Sequence, residues 1–321
     1  MNNRKKVWQY VKEYKWSNIW AMIRNSLKDP AVCPDEFTGR LVVITGATSG
    51  IGRLTAHKYA SRGANLLCIN RNPVKSETLR TEIESTYGVS CPSIIADLSV
   101  LKDIRKAANE LLQVEQPIDV LIHNAGVYLT TREITPDGIE KTLAVHYLSS
   151  FIINYLLLDK LKSQKSARII VVSSEGHRFA AWGLPLEDLN WEKHRYSGLK
   201  SYGSAKTAQL LSMIIFAEKC ENSGVSINAM HPGAVKTDTG RENGPLYRWF
   251  KKTFFDKTLK SAHVSAEALY YLGVSEDLKS VNGKFFHLTT EETPAPPALD
   301  KETADLLWEK SLDLAGLSPG S

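Results

Sequence analysis

A glycine-rich turn directly after a short apolar run constrains the fold of this chain more than any other feature. The run spans 41–45, the turn reads Thr45-Gly46-Ala47-Thr48-Ser49-Gly50-Ile51-Gly52, and a segment of helical period follows it. Glycines there allow a tight turn, and the amino terminus of a helix offers free N–H groups to a phosphate. A strand, such a turn and a helix in succession predict a dinucleotide-binding βαβ unit.

Short apolar, β-branched runs alternate with longer segments of helical period along most of the chain. This alternation is typical of repeated βαβ units and a parallel sheet. The runs are apolar throughout, which predicts helices on both faces of the sheet. Seven runs are predicted as strands: 41–45, 65–69, 93–96, 119–123, 168–172, 225–229 and 284–288.

The domain organisation follows from the positions of these runs. The 321 residues are enough for one large α/β domain, which we place at 39–321 after an amino-terminal extension over 1–38. At about 234–262 the rhythm of helix and strand breaks in a segment rich in aromatic residues and lysine. That segment is predicted to be an apolar lid over a substrate, the alternative being a surface subdomain with its own small core.

The extension contains the excess of positive charge. Seven Lys and Arg residues against two acidic residues in positions 1–29 account for the formal net charge of +5. Trp16, Trp20, Ile23 and Leu27 share one helical face, so residues 1–30 are predicted either to pack on the domain or a partner chain or to lie peripherally on an anionic membrane. A nucleic-acid partner is not favoured, because the basic residues form one terminal cluster and not a stripe with stacking aromatics.

The cysteines and the sorting signals of the sequence indicate the cellular compartment of the protein. Cys33, Cys68, Cys91 and Cys220 show neither metal-ligand spacing nor a paired framework, which predicts reduced thiols and no metal site. No signal-peptide pattern and no run of eighteen apolar residues is found. A cytoplasmic protein is expected, with membrane contact through the extension as the alternative.

The residues at the end of the second predicted strand indicate which nicotinamide cofactor the chain binds. It reads Ile69-Asn70-Arg71, where a protein that binds a free ribose 2′-hydroxyl would have Asp or Glu. Arg71 can instead pair with a 2′-phosphate through its planar guanidinium group. We therefore expect NADP(H) in preference to NAD(H), the alternative being a solvated arginine on a loop.

Several motifs in order make the chain similar to the short-chain dehydrogenase/reductase family over roughly 39–316. Within that family, His177, the long gap to Tyr202 and the closing Leu307-Trp308 resemble the retinol dehydrogenase-like branch. The resemblance implies a Rossmann-type, doubly wound, seven-stranded parallel sheet of order 3-2-1-4-5-6-7. The motifs are Thr45-Gly46-xxx-Gly50-Ile51-Gly52, Asp97-Leu98, Asn124-Ala125-Gly126, Ser173-Ser174, Tyr202-Gly203-Ser204-Ala205-Lys206, and Pro232-Gly233 with Thr237.

The resemblance also implies roles at the cofactor site. Asp97 is expected at the adenine, Asn124 on the cofactor-side loop and Thr237 at the nicotinamide amide. The alternative role of Asp97 is that of a helix cap, because Asp-Leu-Ser precedes a segment of helical period. The residues expected to bind the cofactor are Gly46, Thr48, Ser49, Gly50, Ile51, Gly52, Arg71, Asp97, Leu98, Asn124, Ala125, Gly126, Tyr202, Lys206, Pro232, Gly233, Val235 and Thr237.

Tyr202 and Lys206 are spaced for acid/base chemistry. A tyrosine of ordinary pKa, about 10, is a poor acid or base at neutral pH, and an ammonium group four residues along a helix favours its phenolate. Tyr202 is expected to be the acid/base, and the resemblance adds that Lys206 holds the ribose hydroxyls of the nicotinamide half. Ser174 is expected to donate a hydrogen bond to the substrate oxygen, with Ser173 as its neighbouring alternative.

One position departs from the family pattern. His146 lies where the family usually has an asparagine that completes a proton relay. Imidazole can donate or accept a hydrogen bond, so either a relay through Lys206 and water survives or His146 is a tolerated helix residue. His123, His177 and His231 are expected to be structural or rim residues, since no carboxylate or cysteine pattern accompanies them.

These features together predict an NADP(H)-dependent oxidoreductase. It would interconvert an apolar alcohol and its aldehyde or ketone, of the retinoid, steroid or long-chain carbonyl class. The alternatives are a carbon–carbon double-bond reductase of the same family and a non-catalytic dinucleotide-binding sensor or scaffold. The resemblance is compatible with a homo-oligomer, either a dimer or a tetramer.

Overall fold

A mixed sheet forms the centre of the molecule. The structure, a computed structural model, describes residues 3–14, 18, 20, 24–25, 28–233 and 262–318. In this part of the chain the sheet has the order β3-β2-β1-β4-β5-β6-β7-β8. Its strands are β1 (Leu41–Thr45), β2 (Asn65–Asn70), β3 (Ser93–Ile95), β4 (Ile118–His123), β5 (Ala167–Val172), β6 (Val225–His231), β7 (Phe285–His287) and β8 (Thr290–Glu291).

The predicted Rossmann-type sheet is confirmed. All seven predicted strands form, each within two residues of the expected bounds, and they are parallel in the order 3-2-1-4-5-6-7. The count of seven is one too few, because β8 pairs antiparallel with β7 through His287 and Thr290. A strand of two residues has no periodicity that a sequence can show.

Helices cover the two faces of the sheet. In the described part of the chain they are α1 (Asn3–Glu13), α2 (Gly50–Ala60), α3 (Pro73–Tyr87), α4 (Leu101–Leu112), α5 (Lys141–Ser163), α6 (Gly198–Lys219), α7 (Ala262–Val274) and α8 (Lys301–Ala315). Short 3-10 turns span Glu175–Ala180, Glu276–Leu278 and Pro296–Leu299. Helix α5 contains a π-helical turn at Ala144–Leu148.

Alternate residues of each strand point to opposite sides of the sheet and enter two separate cores. In β1, Leu41 and Val43 pack with α4, α5, α6 and α8, whereas Val42 and Ile44 pack with α2, α3 and α7. Each fully buried aliphatic side chain contributes about 1.5–3 kcal/mol by leaving water. The continuously apolar strands therefore follow from a sheet that is covered on both faces.

Helix α5 is long and apolar enough, by length and composition, to cross a membrane. Yet 78% of its most apolar window is buried within the molecule. Trp308 of α8 packs against it, with the ring centres 5.0 Å from Phe151 and 5.9 Å from Tyr155. These contacts are those of a core helix in a folded domain.

The amino-terminal helix contacts the domain along one side. The Tyr10 hydroxyl donates a hydrogen bond to Asp300 Oδ2 at 2.6 Å, and Lys6 Nζ lies 3.2 Å from the same oxygen. Trp8 and Val11, on the other side of α1, are 68% and 58% exposed. In the predicted face, Trp20 is 68% exposed, and its partners Trp16, Ile23 and Leu27 lie outside the described residues. The division at residue 38 stays a prediction.

Candidate active site

The predicted site residues meet at one edge of the sheet, because parallel strands end on the same side. The described ones follow six strand ends or lie on helices beside them. The glycine-rich turn follows β1, Arg71 follows β2, Asp97 and Leu98 follow β3, Asn124 to Gly126 follow β4, Ser174 follows β5, and Pro232 and Gly233 follow β6. Val235, Thr237 and the lid predicted at 234–262, apart from Ala262 at the start of α7, lie outside the described residues.

The glycine-rich turn requires its glycines. Gly46 has a φ of +70°, in the left-handed region that glycine adopts at little cost. A Cβ on Gly52 would lie 2.3 Å from the Gly46 carbonyl oxygen and 2.4 Å from Asn124 Nδ2. No real side chain fits those distances, so the start of α2 can lie this close to the turn only with glycine at position 52.

Two asparagines hold this turn in place. Asn124 Nδ2 donates to the carbonyl oxygens of Gly46 at 3.0 Å and Thr45 at 3.1 Å. Asn70 Oδ1 accepts the Ala47 N–H at 2.8 Å. The sequence placed Asn124 on the cofactor side but gave Asn70 no role. A buried polar residue at the end of an apolar strand was the available signal.

This turn fits the pyrophosphate of a dinucleotide. Ser49 is the N-cap of α2, and its side chain makes no capping hydrogen bond to the first turn of the helix. The N–H groups of that turn are thus available to an anion, which the positive end of the helix dipole also favours. Gly126 is exposed beside the turn and Arg71 is exposed after β2. These residues would hold the pyrophosphate and the adenosine half.

Asp97 stabilises a turn and does not cap a helix. Its Oδ1 accepts the Ser99 N–H at 2.9 Å and the Ser99 hydroxyl at 2.7 Å. Helix α4 begins later, with Val100 as its N-cap. The helix-cap alternative is therefore wrong, and a contact between Asp97 and adenine stays a prediction.

Ser174 and Tyr202 come together over Gly176. Ser174 Oγ accepts the Gly176 N–H at 3.0 Å, and a Cβ on Gly176 would lie 3.3 Å from that oxygen. A Cβ on Gly176 would lie 2.6 Å from Tyr202 Cε1, so glycine makes this approach possible. Ser173 is 2% exposed, and its Oγ has no hydrogen-bond partner among the described residues. The geometry therefore favours Ser174 over Ser173.

Lys206 lies beneath Tyr202 and is almost fully buried. Its Nζ is 5.6 Å from the centre of the Tyr202 ring and donates to the Val172 carbonyl oxygen at 2.8 Å. Burial lowers the pKa of Lys206 to about 7 and raises the pKa of Tyr202. The sequence predicted that Lys206 lowers the Tyr202 pKa. In this structure the effect of burial on the Tyr202 pKa is larger than the effect of the nearby Lys206, because burial disfavours the charged form of each group.

Known proteins match this fold and this set of residues. The family described as short chain dehydrogenase matches residues 40–184. Retinol dehydrogenase 13 of Mus musculus is 36% identical over 293 residues, which are 89% of this chain and 87% of that protein. The chain belongs to the short-chain dehydrogenase family.

Solved structures agree with this assignment. The structure of an uncharacterized protein from Mycobacterium paratuberculosis superposes on this dehydrogenase with a TM-score of 0.68 at 27% identity, covering 92% of this chain and 98% of that one. A short-chain dehydrogenase from Burkholderia cenocepacia J2315 in complex with NADP has a TM-score of 0.63 at 20% identity, covering 81% of this chain and 99% of that one, and shows the fold alone. The protein is an NAD(P)-dependent short-chain dehydrogenase acting on CH–OH donors.

His146 of the dehydrogenase lies in the π-helical turn of α5, a type of turn that often marks a functional site. Its Nε2 is 3.0 Å from the Val127 nitrogen and 2.7 Å from the Val127 oxygen. Burial and the charge of Lys206 lower its pKa well below the ordinary value, so the ring is neutral. The imidazole thus holds the loop after β4, while its backbone oxygen accepts a hydrogen bond from Gln209 at 2.7 Å. A proton relay through the ring stays a prediction.

The other histidines have structural contacts. His123 Nε2 lies 2.7 Å from Asn154 Oδ1, and burial lowers its pKa to about 4. His177 Nδ1 lies 2.8 Å from the Ser174 carbonyl oxygen and its Nε2 accepts the Ala295 N–H at 3.1 Å, so the ring connects the Ser174 loop to the segment after β8. His231 packs beside His287, with the ring centres 5.0 Å apart.

A buried charged cluster beside Ser174 was missed. Arg178 forms ion pairs with Glu175 and, at 2.7 Å, with Glu292, and Glu292 Oε2 accepts the side-chain N–H of Asn25 at 3.0 Å. Burial raises the pKa of Glu175 to about 7. Ligand atoms of Glu175, His287 and Glu292 lie within 4.8 Å of one another, and Arg178 forms ion pairs with both glutamates. The absence of a metal therefore stays our prediction.

Proposed function

We propose that this dehydrogenase uses NADP(H) and interconverts an apolar alcohol and its aldehyde or ketone, with Tyr202 as the acid/base. The observation that supports the chemistry is that Ser174 Oγ and the Tyr202 ring come together beside Gly176, with Lys206 Nζ 5.6 Å from the centre of the phenol ring. A bound nicotinamide would supply or accept the hydride.

The three side chains have separate tasks, and that of Lys206 is to hold the ribose hydroxyls of the nicotinamide half and to favour the phenolate of Tyr202 by its positive charge. In reduction the Tyr202 phenol donates its proton to the carbonyl oxygen, and in oxidation the phenolate takes the proton of the alcohol. The Ser174 hydroxyl donates a hydrogen bond to the same oxygen as negative charge develops there. Because burial raises the pKa of Tyr202, the phenol holds its proton at neutral pH, which is the form that reduction needs.

Arg71 supports the choice of NADP(H). It follows the last residue of β2 and is exposed at the edge of the sheet where the glycine-rich turn lies. A guanidinium group there attracts a 2′-phosphate, whereas a carboxylate would repel it. The neighbouring structure from Burkholderia cenocepacia contains NADP, in agreement with this choice.

The substrate class is taken from the relatives and from the chain's own surface. The name of retinol dehydrogenase 13 supports a retinoid or another long, apolar substrate.

Helix α1 is held on the domain by Tyr10 while Trp8 and Val11 are exposed together with Lys12. An exposed Trp beside cationic residues favours contact with an anionic membrane, in which such substrates dissolve. We propose a cytoplasmic protein that is peripheral at a membrane.

The test is oxidation of NADPH and, separately, NADH by the purified protein against a panel of apolar aldehydes and ketones, with identification of the products. We expect alcohols as products and a higher kcat/KM with NADPH. A saturated carbonyl product would show double-bond reduction instead. Binding of NADPH without turnover across the panel would contradict the proposed chemistry and support a non-catalytic sensor.

A further inference from the structure

Two neutral groups hold the ammonium of Lys206. Its Nζ donates to the Val172 carbonyl oxygen at 2.8 Å and to Gln209 Oε1 at 3.0 Å. The residue is 3% exposed, and burial is the resolved cause of its pKa near 7. A buried cation is expensive unless it is paired, yet here both acceptors are uncharged.

Gln209 connects Lys206 to the π-helical turn of α5. It lies three residues after Lys206 on α6 and is 2% exposed. Its Oε1 accepts from Lys206, and its Nε2 donates to the His146 carbonyl oxygen at 2.7 Å. A side-chain amide is the neutral group that accepts at one atom and donates at the other, so Gln209 satisfies both partners at once.

Among the described residues, titratable groups from three elements interact with Lys206. Tyr202 lies on the same helix, His146 comes from α5 and His231 comes from β6. Burial lowers the pKa of both histidines well below the ordinary value, and the charge of Lys206 lowers it further. Both rings are neutral, so neither supplies a charge that compensates Lys206, and a substitution at Gln209 can add one.

We propose that Gln209 is a positioning residue for Lys206. Its amide directs the ammonium group and, being neutral, does not offset the positive charge that acts on Tyr202 and on the ribose of the nicotinamide half. A glutamate of the same size would accept the same hydrogen bond but would neutralise the ammonium. It would also present an oxygen, not an N–H, to the His146 carbonyl. This proposal takes one element from the proposed function, namely the role of Lys206.

The experiment measures NADPH affinity by fluorescence titration from about pH 6 to about pH 9, around the pKa of Lys206. Gln209→Glu places an opposite charge beside the ammonium, and Gln209→Met keeps the length but removes the acceptor. We expect the pH at which affinity weakens to rise by about 1 unit or more in Gln209→Glu and to fall in Gln209→Met. Lys206→Met, which has no ammonium, should lose the transition.

Shifts of opposite sign distinguish positioning from structural damage, which would weaken binding without moving the pH midpoint in two directions. No shift in either variant, shifts of the same sign, or a wild-type transition that survives Lys206→Met would overturn the proposal. If Gln209→Glu does not fold, the downward shift in Gln209→Met alone decides. Because the measured quantity is binding, a failure of carbonyl turnover in the wild type would contradict the proposed function and leave this test intact.

Discussion

Replacing Gly52 with alanine should weaken cofactor binding and lower stability. The added Cβ would lie 2.3 Å from the Gly46 carbonyl oxygen and 2.4 Å from Asn124 Nδ2, so the turn must move away from the helix. That movement lengthens the 3.0 Å hydrogen bond from Asn124 to Gly46, at a cost of about 0.5–1.5 kcal/mol. Alanine within α2 returns about 1 kcal/mol through its higher helix propensity. Displacing backbone at such a short contact costs about 1–3 kcal/mol, so a net loss of stability is expected.

The effect on binding has no such compensation. A turn displaced by this contact loses at least one charge-assisted N–H contact to a phosphate, worth about 1.5–3 kcal/mol. The NADPH Kd should therefore rise by roughly 10- to 100-fold.

Gly88 provides the matched control. It ends α3 at a φ of +69°, and an added Cβ would meet nothing within 4 Å. Gly88→Ala should therefore cost about 1 kcal/mol of stability through backbone strain and leave NADPH binding unchanged. Thermal unfolding and fluorescence titration measure the two quantities. An unchanged Kd in Gly52→Ala, or equal effects of both variants on binding, would refute the reasoning.

Three further predictions concern the cofactor, the charged cluster and the membrane face. Arg71→Asp should shift the kcat/KM ratio from NADPH towards NADH, and an unchanged ratio would mean that another residue reads the phosphate. Because the pKa of Glu175 is raised, its contribution to stability is complete below its ordinary pKa of 4.5 and is lost as the pH rises through about 7. Glu175→Gln should therefore flatten this part of the pH profile of the unfolding temperature. A profile identical to that of the wild type would contradict the assignment. Serine at both Trp8 and Val11 should reduce sedimentation with anionic vesicles without changing turnover of a water-soluble aldehyde, and undiminished sedimentation would exclude this face as the contact.

The sheet and the positions of the candidate site residues could be predicted from the sequence because the signals for both are local. Buried strands read as short apolar runs, and the turn at Gly46 and the spacing of Tyr202 and Lys206 need only a few consecutive residues. These elements lie where they were expected, apart from the added β8.

Interactions between distant residues left no such signal. Arg178 pairs with Glu292 across 114 residues, and the contact from Gln209 to the His146 carbonyl crosses 63. The direction of the Tyr202 pKa shift was also beyond the sequence, because it depends on burial, which the spacing of Tyr202 and Lys206 does not reveal. For Asp97 the sequence allowed two roles, and the turn to Ser99 removed one of them.

The role of Tyr202 is decided by comparing wild type and Tyr202→Phe in the rate of NADPH oxidation with a saturating apolar aldehyde, after the NADPH Kd of each has been measured. Phenylalanine keeps the ring that packs against His146 and Tyr128 but has no proton to give. We predict a fall in kcat of roughly 100-fold or more, the usual contribution of a general acid, with a nearly unchanged Kd. A variant that binds NADPH and retains the kcat of the wild type would contradict the assignment of Tyr202 as the acid.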